Sequence, residues 1–216
     1  MCREMNPPSL RGNAHTHRNN MTLKETYENL LEDLDIAQGG EMVYRFCDKG
    51  HNHSYLDFYE RYFAPHRDTA DIIEIGVMTG GSLLLWQRWF DRVNATGIDL
   101  RNGFNETFAW QEEIVADYHW LTDTTDSKFI PNLKPAHFVI DDGLHTLDGQ
   151  WKTFCNYWKF VRPGGTYFIE DIETQHNTDL LRDRITQRLG DTVSIEHYRG
   201  HTREDDQILA VTRKIS

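Results

Sequence analysis

The chain has 216 residues, 38% of them hydrophobic, and a formal net charge of −11. That length suits one globular domain with a sizeable core. The acidic balance argues against a nucleic-acid binder, which needs a basic face, and no apolar stretch reaches the roughly 20 residues of a membrane span.

Residues 1–20 are polar, carry Pro7-Pro8 and show no periodicity. They read as a flexible tail, in which His15 and His17 are solvated rather than metal-binding. Thr22 then caps a helix, with Glu25 completing a capping box. Leu23, Tyr27, Leu30, Leu31 and Leu34 follow helical spacing, and Gly39-Gly40 is read as the stop. A second helix is predicted over Tyr55–Phe63, stopped near Pro65. Residues 21–66 form a helical segment covering the active site; 67–216 form the core domain.

From residue 71 the pattern alternates. Strands are predicted at Asp71–Gly76, Ala95–Asp99, Tyr118–Leu121, Ala136–Asp141 and Gly165–Glu170. Helices are predicted at Gly81–Phe90, Phe104–Ala116, Leu147–Phe160 and Leu180–Leu189. Thr192–Tyr198 and Gln207–Thr212 read as a terminal strand pair. Such alternation implies an α/β fold: a mostly parallel sheet with helices on both faces. The aromatic residues of 151–158 fall at helical spacing and read as core.

Two acidic clusters carry the chemistry. Asp141-Asp142-Gly143-Leu144-His145 follows His137–Ile140, and Glu170-Asp171 follows Gly165–Ile169. Ligands of open α/β sheets bind beyond the carboxyl ends of the strands, so Asp142, Glu170 and Asp171 are expected at one rim. Three carboxylates there repel unless a cation sits among them, and hard oxygen donors favour Mg²⁺ or Mn²⁺. His145 beside such an ion is a natural general base.

Upstream, Glu74-Ile-Gly76-Val-Met-Thr-Gly80-Gly81-Ser82 reads as strand, glycine turn and helix start. Glycines admit close backbone approach, and the helix start offers free N–H groups. Asp99 ends the next strand, where a carboxylate accepts ribose hydroxyls. Met78 replaces the middle glycine of a dinucleotide fingerprint, and no Gly-Lys-Ser/Thr ending of a P-loop is present. S-adenosylmethionine, which has no pyrophosphate, fits this looser loop best.

With these residues in place, the chain resembles class I S-adenosylmethionine-dependent methyltransferases. More narrowly, it resembles the Mg²⁺-dependent macrolide and rhamnosyl sugar O-methyltransferases. The resemblance lies in Asp48-Lys49-Gly50, His53-Ser54-Tyr55, Tyr59–Phe63, Glu74-Ile-Gly76-Val, Gly97-Ile-Asp99, Asp123-Thr-Thr-Asp126, Asp141–His145, Arg162-Pro-Gly-Gly165 and Glu170-Asp171, over about residues 45–175. It implies a Rossmann-like fold with a seven-stranded sheet and an antiparallel C-terminal strand. It implies Asp142, Glu170 and Asp171 as metal ligands and His145 as base. Glu74, Gly76, Gly80, Ser82, Asp99 and Asp141 are expected around the donor. Asp123 is either an adenine-side contact or a turn residue. Tyr55, with His53 and Ser54, either holds the donor's carboxylate, covers the pocket or caps a helix. Leu144 stands where the family commonly has Ser.

The expected reaction is methyl transfer to a sugar hydroxyl. The expected partners are a small-molecule or glycan acceptor and a second copy of the chain, with no nucleic acid and no membrane. A catechol-type O-methyltransferase and a non-methylating binding scaffold are the alternatives. The absence of an apolar signal segment and the scattered Cys2, Cys47 and Cys155 suggest a cytoplasmic protein with reduced thiols.

Overall fold

A computed structural model describes residues 21–37, 40–100, 108–120 and 123–215. The N-terminal tail with its two histidines, Gly39, Leu121 and the first part of the helix predicted from Phe104 lie outside them.

Helix α1 (Leu23–Asp33) starts at Thr22 with both halves of the capping box formed. It ends earlier than Gly39-Gly40. Asp35 turns left-handed at φ 54°, its N–H reaches the Glu32 carbonyl, and that of Ile36 reaches Leu31 at 2.8 Å. This is a Schellman stop made without glycine. Gly40 instead begins a short helix that the sequence reading missed, α2 (Glu41–Phe46). Helix α3 (Leu56–Phe63) follows, and Pro65 sits in a 3₁₀ turn behind it.

The α/β part then runs β1 (Ala70–Ile75), α4 (Gly81–Trp89), β2 (Val93–Asp99), β3 (Ala116–Trp120), β4 (Ala136–Asp141), α5 (Leu147–Tyr157), β5 (Val161–Ile169), α6 (Gln175–Leu189), β6 (Val193–Arg199) and β7 (Gln207–Arg213). One seven-stranded sheet results, in the order β3-β2-β1-β4-β5-β7-β6. Only β7 runs against its neighbours. The alternation of the sequence had predicted this mostly parallel sheet.

Three local expectations are corrected. Residues 108–116 are not helical: Ala109–Glu113 is a 3₁₀ turn. Trp110 packs edge-on against Phe46 and stacks with Phe108, while Ala116 already pairs with Ala95 in the sheet. Strand pairing outweighs the helical spacing there. Helix α6 begins five residues before Leu180, because Thr174 caps it through a polar first turn that carries no apolar signal. Strand β5 begins at Val161 and takes in Arg162–Gly165, with a register shift against β4.

Two cores flank the sheet. Helices α1 to α4 bury one face, where Phe58, Tyr59 and Phe63 pack on Phe168, Trp86 and Phe138. Helices α5 and α6 bury the other through Phe154, Tyr157, Leu181 and Ile185. Each such aromatic ring contributes about 1.5–3 kcal/mol by leaving water. Of the cysteines, Cys47 is buried and Cys155 is half-buried.

The order of strands reverses between β1 and β4, which is where open sheets make their crevice. Two glycines allow it. Gly76 has φ +82°, and a Cβ there would lie 1.9 Å from the Asp142 carbonyl oxygen. A Cβ on Gly81 would lie 1.7 Å from the carbonyl oxygen of Phe46. Gly76→Ala is therefore expected to destabilise the fold by about 2–3 kcal/mol in urea denaturation. A loss below about 0.5 kcal/mol would contradict this packing.

Candidate active site

The cleft above the β1–β4 crevice has a volume of about 670 Å³. The loop after β1 supplies Gly76 and Met78, and the start of α4 supplies Ser82; β2 supplies Asp99; the loop after β4 supplies Asp142 and His145. The opposite wall comes from α2 and the turn behind it, through Tyr44, Asp48 and Lys49.

Asp99 faces the cleft while its Oδ2 accepts the N–H groups of Val77 and Met78, both at 3.0 Å. It thus shapes the glycine loop as well as presenting a carboxylate at the end of β2. Gly80, at φ +83°, starts α4 beside Ser82. Glu74 lies beneath the cleft and is fully buried, accepting from Trp86 Nε1 at 2.8 Å and lying 3.6 Å from Lys49 Nζ. Burial raises its carboxyl above the ordinary range, against the pull of Lys49. Asp123 is at the surface, where its Oδ1 accepts the Thr125 N–H at 2.7 Å. That is the turn-residue half of the alternative.

The acidic rim is organised around lysine. Lys49 is 1% exposed. Its Nζ donates to Asp142 Oδ2 at 2.7 Å and Glu170 Oε2 at 2.8 Å. The other oxygen of Glu170 accepts from the Tyr59 hydroxyl. Glu170 therefore faces Lys49 and Tyr59. Asp142 and Asp171 instead meet across His145, and one oxygen or nitrogen from each of these three lies within 4.8 Å of the others. Asp171 also groups in this way with Asp48 and His53.

Asp171 sits at φ 51°, a strained backbone position for a non-glycine residue. Behind it Tyr55, fully buried, donates its hydroxyl to Oδ1 at 2.9 Å. His53 lies at 3.3 Å on its other oxygen, with its second ring nitrogen 3.6 Å from buried Asp206. Tyr55 and His53 thus brace Asp171. Asp141 is buried, accepts from Tyr167 at 3.1 Å, and is raised to about 7, chiefly by burial.

Charge follows from this arrangement. Burial opposes ionisation of Asp142, but Lys49 and His145 more than offset it and hold the carboxyl at about 2. Asp48 is pushed up to about 6 by burial and by Asp142. His145 is 40% exposed in its side chain, with Nε2 3.2 Å from Asp142 Oδ1. Burial lowers its basicity, yet the bond to Asp142 and the charge of Asp171 lift it to about 9. Metal-free protein should therefore show the His145 ring titrating near 9 by NMR, and Asp142→Asn should bring it down toward 6.5. Between those values the folded state holds a proton that the unfolded state has released, so this pair's stabilisation fades as pH rises. A wild-type value at or below 6.5 would contradict the pairing.

Sequence reasoning did not assign Lys49, Asp48, Tyr59 or Asp206 a role. Lys49 and Asp142 are 93 positions apart, and no spacing rule joins them. The available signal was a lysine next to an aspartate just before an aromatic-rich helix.

The comparisons with known proteins agree with the geometry. Residues 73–172 match the family described as a methyltransferase domain. The chain is 34% identical over 140 residues to the 8-demethyl-8-alpha-L-rhamnosyl tetracenomycin-C 2'-O-methyltransferase of Streptomyces olivaceus, covering 60% of this chain and 36% of that protein. It is 30% identical over 139 residues to the mycinamicin VI 2''-O-methyltransferase of Micromonospora griseorubida, covering 59% and 33%. The chain thus spans about a third of the length of these relatives. Among solved structures, the mycinamycin-pathway methyltransferase MycE, in complex with Mg, SAH and mycinamycin VI, superposes with a TM-score of 0.60 at 20% identity, over 88% of this chain and 54% of that one. An O-methyltransferase from Bacillus cereus in complex with SAH gives 0.54 at 15% identity, over 88% and 91%. The fold is that of these methyltransferases. Among the described residues, no helix is long and apolar enough to cross a membrane.

Proposed function

With a methyltransferase domain across residues 73–172 as the premise, we propose that this chain is an S-adenosylmethionine- and Mg²⁺-dependent O-methyltransferase acting on a sugar hydroxyl, a rhamnose-like deoxyhexose of a glycoside or glycan. The observation that carries the reading is a cleft that joins a donor-type loop to Asp142 and His145, with Asp171 grouped beside those two. The named relatives are a rhamnosyl tetracenomycin-C 2'-O-methyltransferase and a mycinamicin VI 2''-O-methyltransferase, which supports the substrate class.

Gly76, Ser82 and Asp99 line the cleft and would hold the donor, with Asp99 placed to accept its ribose hydroxyls. Asp142, Glu170 and Asp171 would hold the hard divalent ion, the first and last facing one another across His145. When bound, the donor would supply a sulfonium methyl and the ion would supply acidification of the acceptor hydroxyl. The chain's own groups do the rest. The two loops after β1 and β4 align methyl and hydroxyl. His145, exposed at the cleft, takes the hydroxyl proton. It does so once the charges of Asp142 and Asp171 are neutralised, because those charges otherwise keep its ring protonated. Helix α2 and the turn behind it cover the site from the other side, and we place the reaction in the cytoplasm.

Calorimetry with S-adenosylhomocysteine tests the donor site. Asp99→Ala should cost on the order of 2–4 kcal/mol of binding, the worth of two hydrogen bonds to a carboxylate. Unchanged affinity would remove Asp99 from the donor site.

A further inference from the structure

We infer that Asp206, in the turn between β6 and β7, is a positioning residue for the divalent-ion site: acting through His53, it fixes the carboxylate of Asp171. This rests on the metal-dependent reading above, with Asp142, Glu170 and Asp171 as the ligands. Asp206 is fully buried, and a carboxylate there is costly unless it is well bonded. Its Oδ2 accepts the Ser54 hydroxyl at 2.9 Å, the Thr202 hydroxyl at 2.8 Å and the Thr202 N–H at 3.1 Å. Its Oδ1 accepts the Ser54 N–H at 3.2 Å and stands 3.6 Å from Nδ1 of His53. Gly200 makes room for this carboxylate, since a Cβ there would lie 1.8 Å from Oδ2. Four hydrogen bonds thus hold one buried charge in one place, and that place is behind a histidine.

His53 passes the constraint on. Its ring is buried, stacks on Tyr55 with centroids 4.9 Å apart, and has Nε2 3.3 Å from Asp171 Oδ2. Nδ1 has no hydrogen-bond partner among the described residues, so the Asp206 carboxylate is what it faces. Asp171 needs such support, because its backbone sits at φ 51°. The β6–β7 turn supplies it twice. Asp206 steadies the side chain through His53, and the carbonyl of Gln207 accepts the N–H of Ile172, the next residue, at 3.2 Å. The Asp171 oxygens that meet Tyr55 and His53 each keep a lone pair for an ion. A turn near the end of the chain thereby sets the aim of a ligand at the end of β5, as groups behind metal ligands commonly do.

The test is Mn²⁺ binding to the full chain, followed by electron paramagnetic resonance without donor or acceptor, beside a thermal melt of the metal-free protein. Asp206→Asn keeps the shape and removes the charge that His53 faces. It should weaken Mn²⁺ binding by about 10–100-fold, the usual cost of losing a group that orients a ligand. His53→Gln should do the same, and the two together should cost no more than the worse one, because they act in series. Thr202→Ala loosens the turn but leaves Asp206 facing His53, and should stay within about threefold of wild type. A lower melting temperature in Asp206→Asn with wild-type Mn²⁺ affinity would make Asp206 merely structural and overturn the inference. Additive losses in the double variant would overturn it too. If Asp206→Asn does not fold, His53→Gln decides, since wild-type affinity there breaks the chain from Asp206 to Asp171. Wild-type protein that binds no Mn²⁺ would instead bring down the metal-dependent reading, and this inference with it.

Discussion

EDTA is expected to reduce methyl transfer to background, and added Mg²⁺ or Mn²⁺ to restore it. A sugar hydroxyl hardly ionises at neutral pH, and coordination to a divalent ion is the available means of lowering its pKa without a stronger base. Asp142→Asn should lose most of the activity as well, since a neutral amide is a poorer ligand for a hard cation. Two further interactions are weakened in that variant, because Asp142 also bonds Lys49 and His145. Donor binding should persist, as the glycine loop and Asp99 are untouched. Full turnover in chelator would mean that Asp142 and Asp171 serve only the internal network of Lys49, His53 and Tyr55.

His145→Ala is expected to lower turnover by roughly 10²–10⁴-fold, the usual range for a lost general base. Affinity for S-adenosylhomocysteine should stay unchanged. The effect should appear in single-turnover rates at saturating donor, acceptor and metal, which separates proton removal from binding. The competing account leaves acidification to the ion and gives the proton to solvent, with His145 only paired to Asp142. Near-wild-type single-turnover rates in the variant would establish that account and remove His145 as base.

Much of this site was legible because strand–loop–helix units obey a spacing rule. Asp99 and Asp142 follow runs that read as β2 and β4, and parallel sheets bring such strand ends together. Ile75 and Asp142 are joined as that rule requires, by a backbone hydrogen bond of 2.8 Å. The illegible part belongs to the helical segment before β1. Lys49 reaches Asp142 and Glu170 only after α2 and α3 dock on the sheet, and that docking depends on packing such as Phe46 over Gly81. The side-chain direction of Glu170 was equally hidden, since adjacent residues after a strand turn to different neighbours: Glu170 to Lys49 and Asp171 to His53. The helix predicted through Ala116 failed for a related reason. Trp110 packs onto Phe46 and stacks with Phe108, and the strand that follows takes the next residues.

Methyl transfer to a sugar can be followed with labelled donor. The full chain would be incubated with methyl-labelled S-adenosylmethionine and a panel of rhamnosides and catechols, with and without Mg²⁺. Label is expected on a rhamnoside hydroxyl, only when Mg²⁺ is present. Label on catechols alone, or equal transfer in its absence, would contradict it.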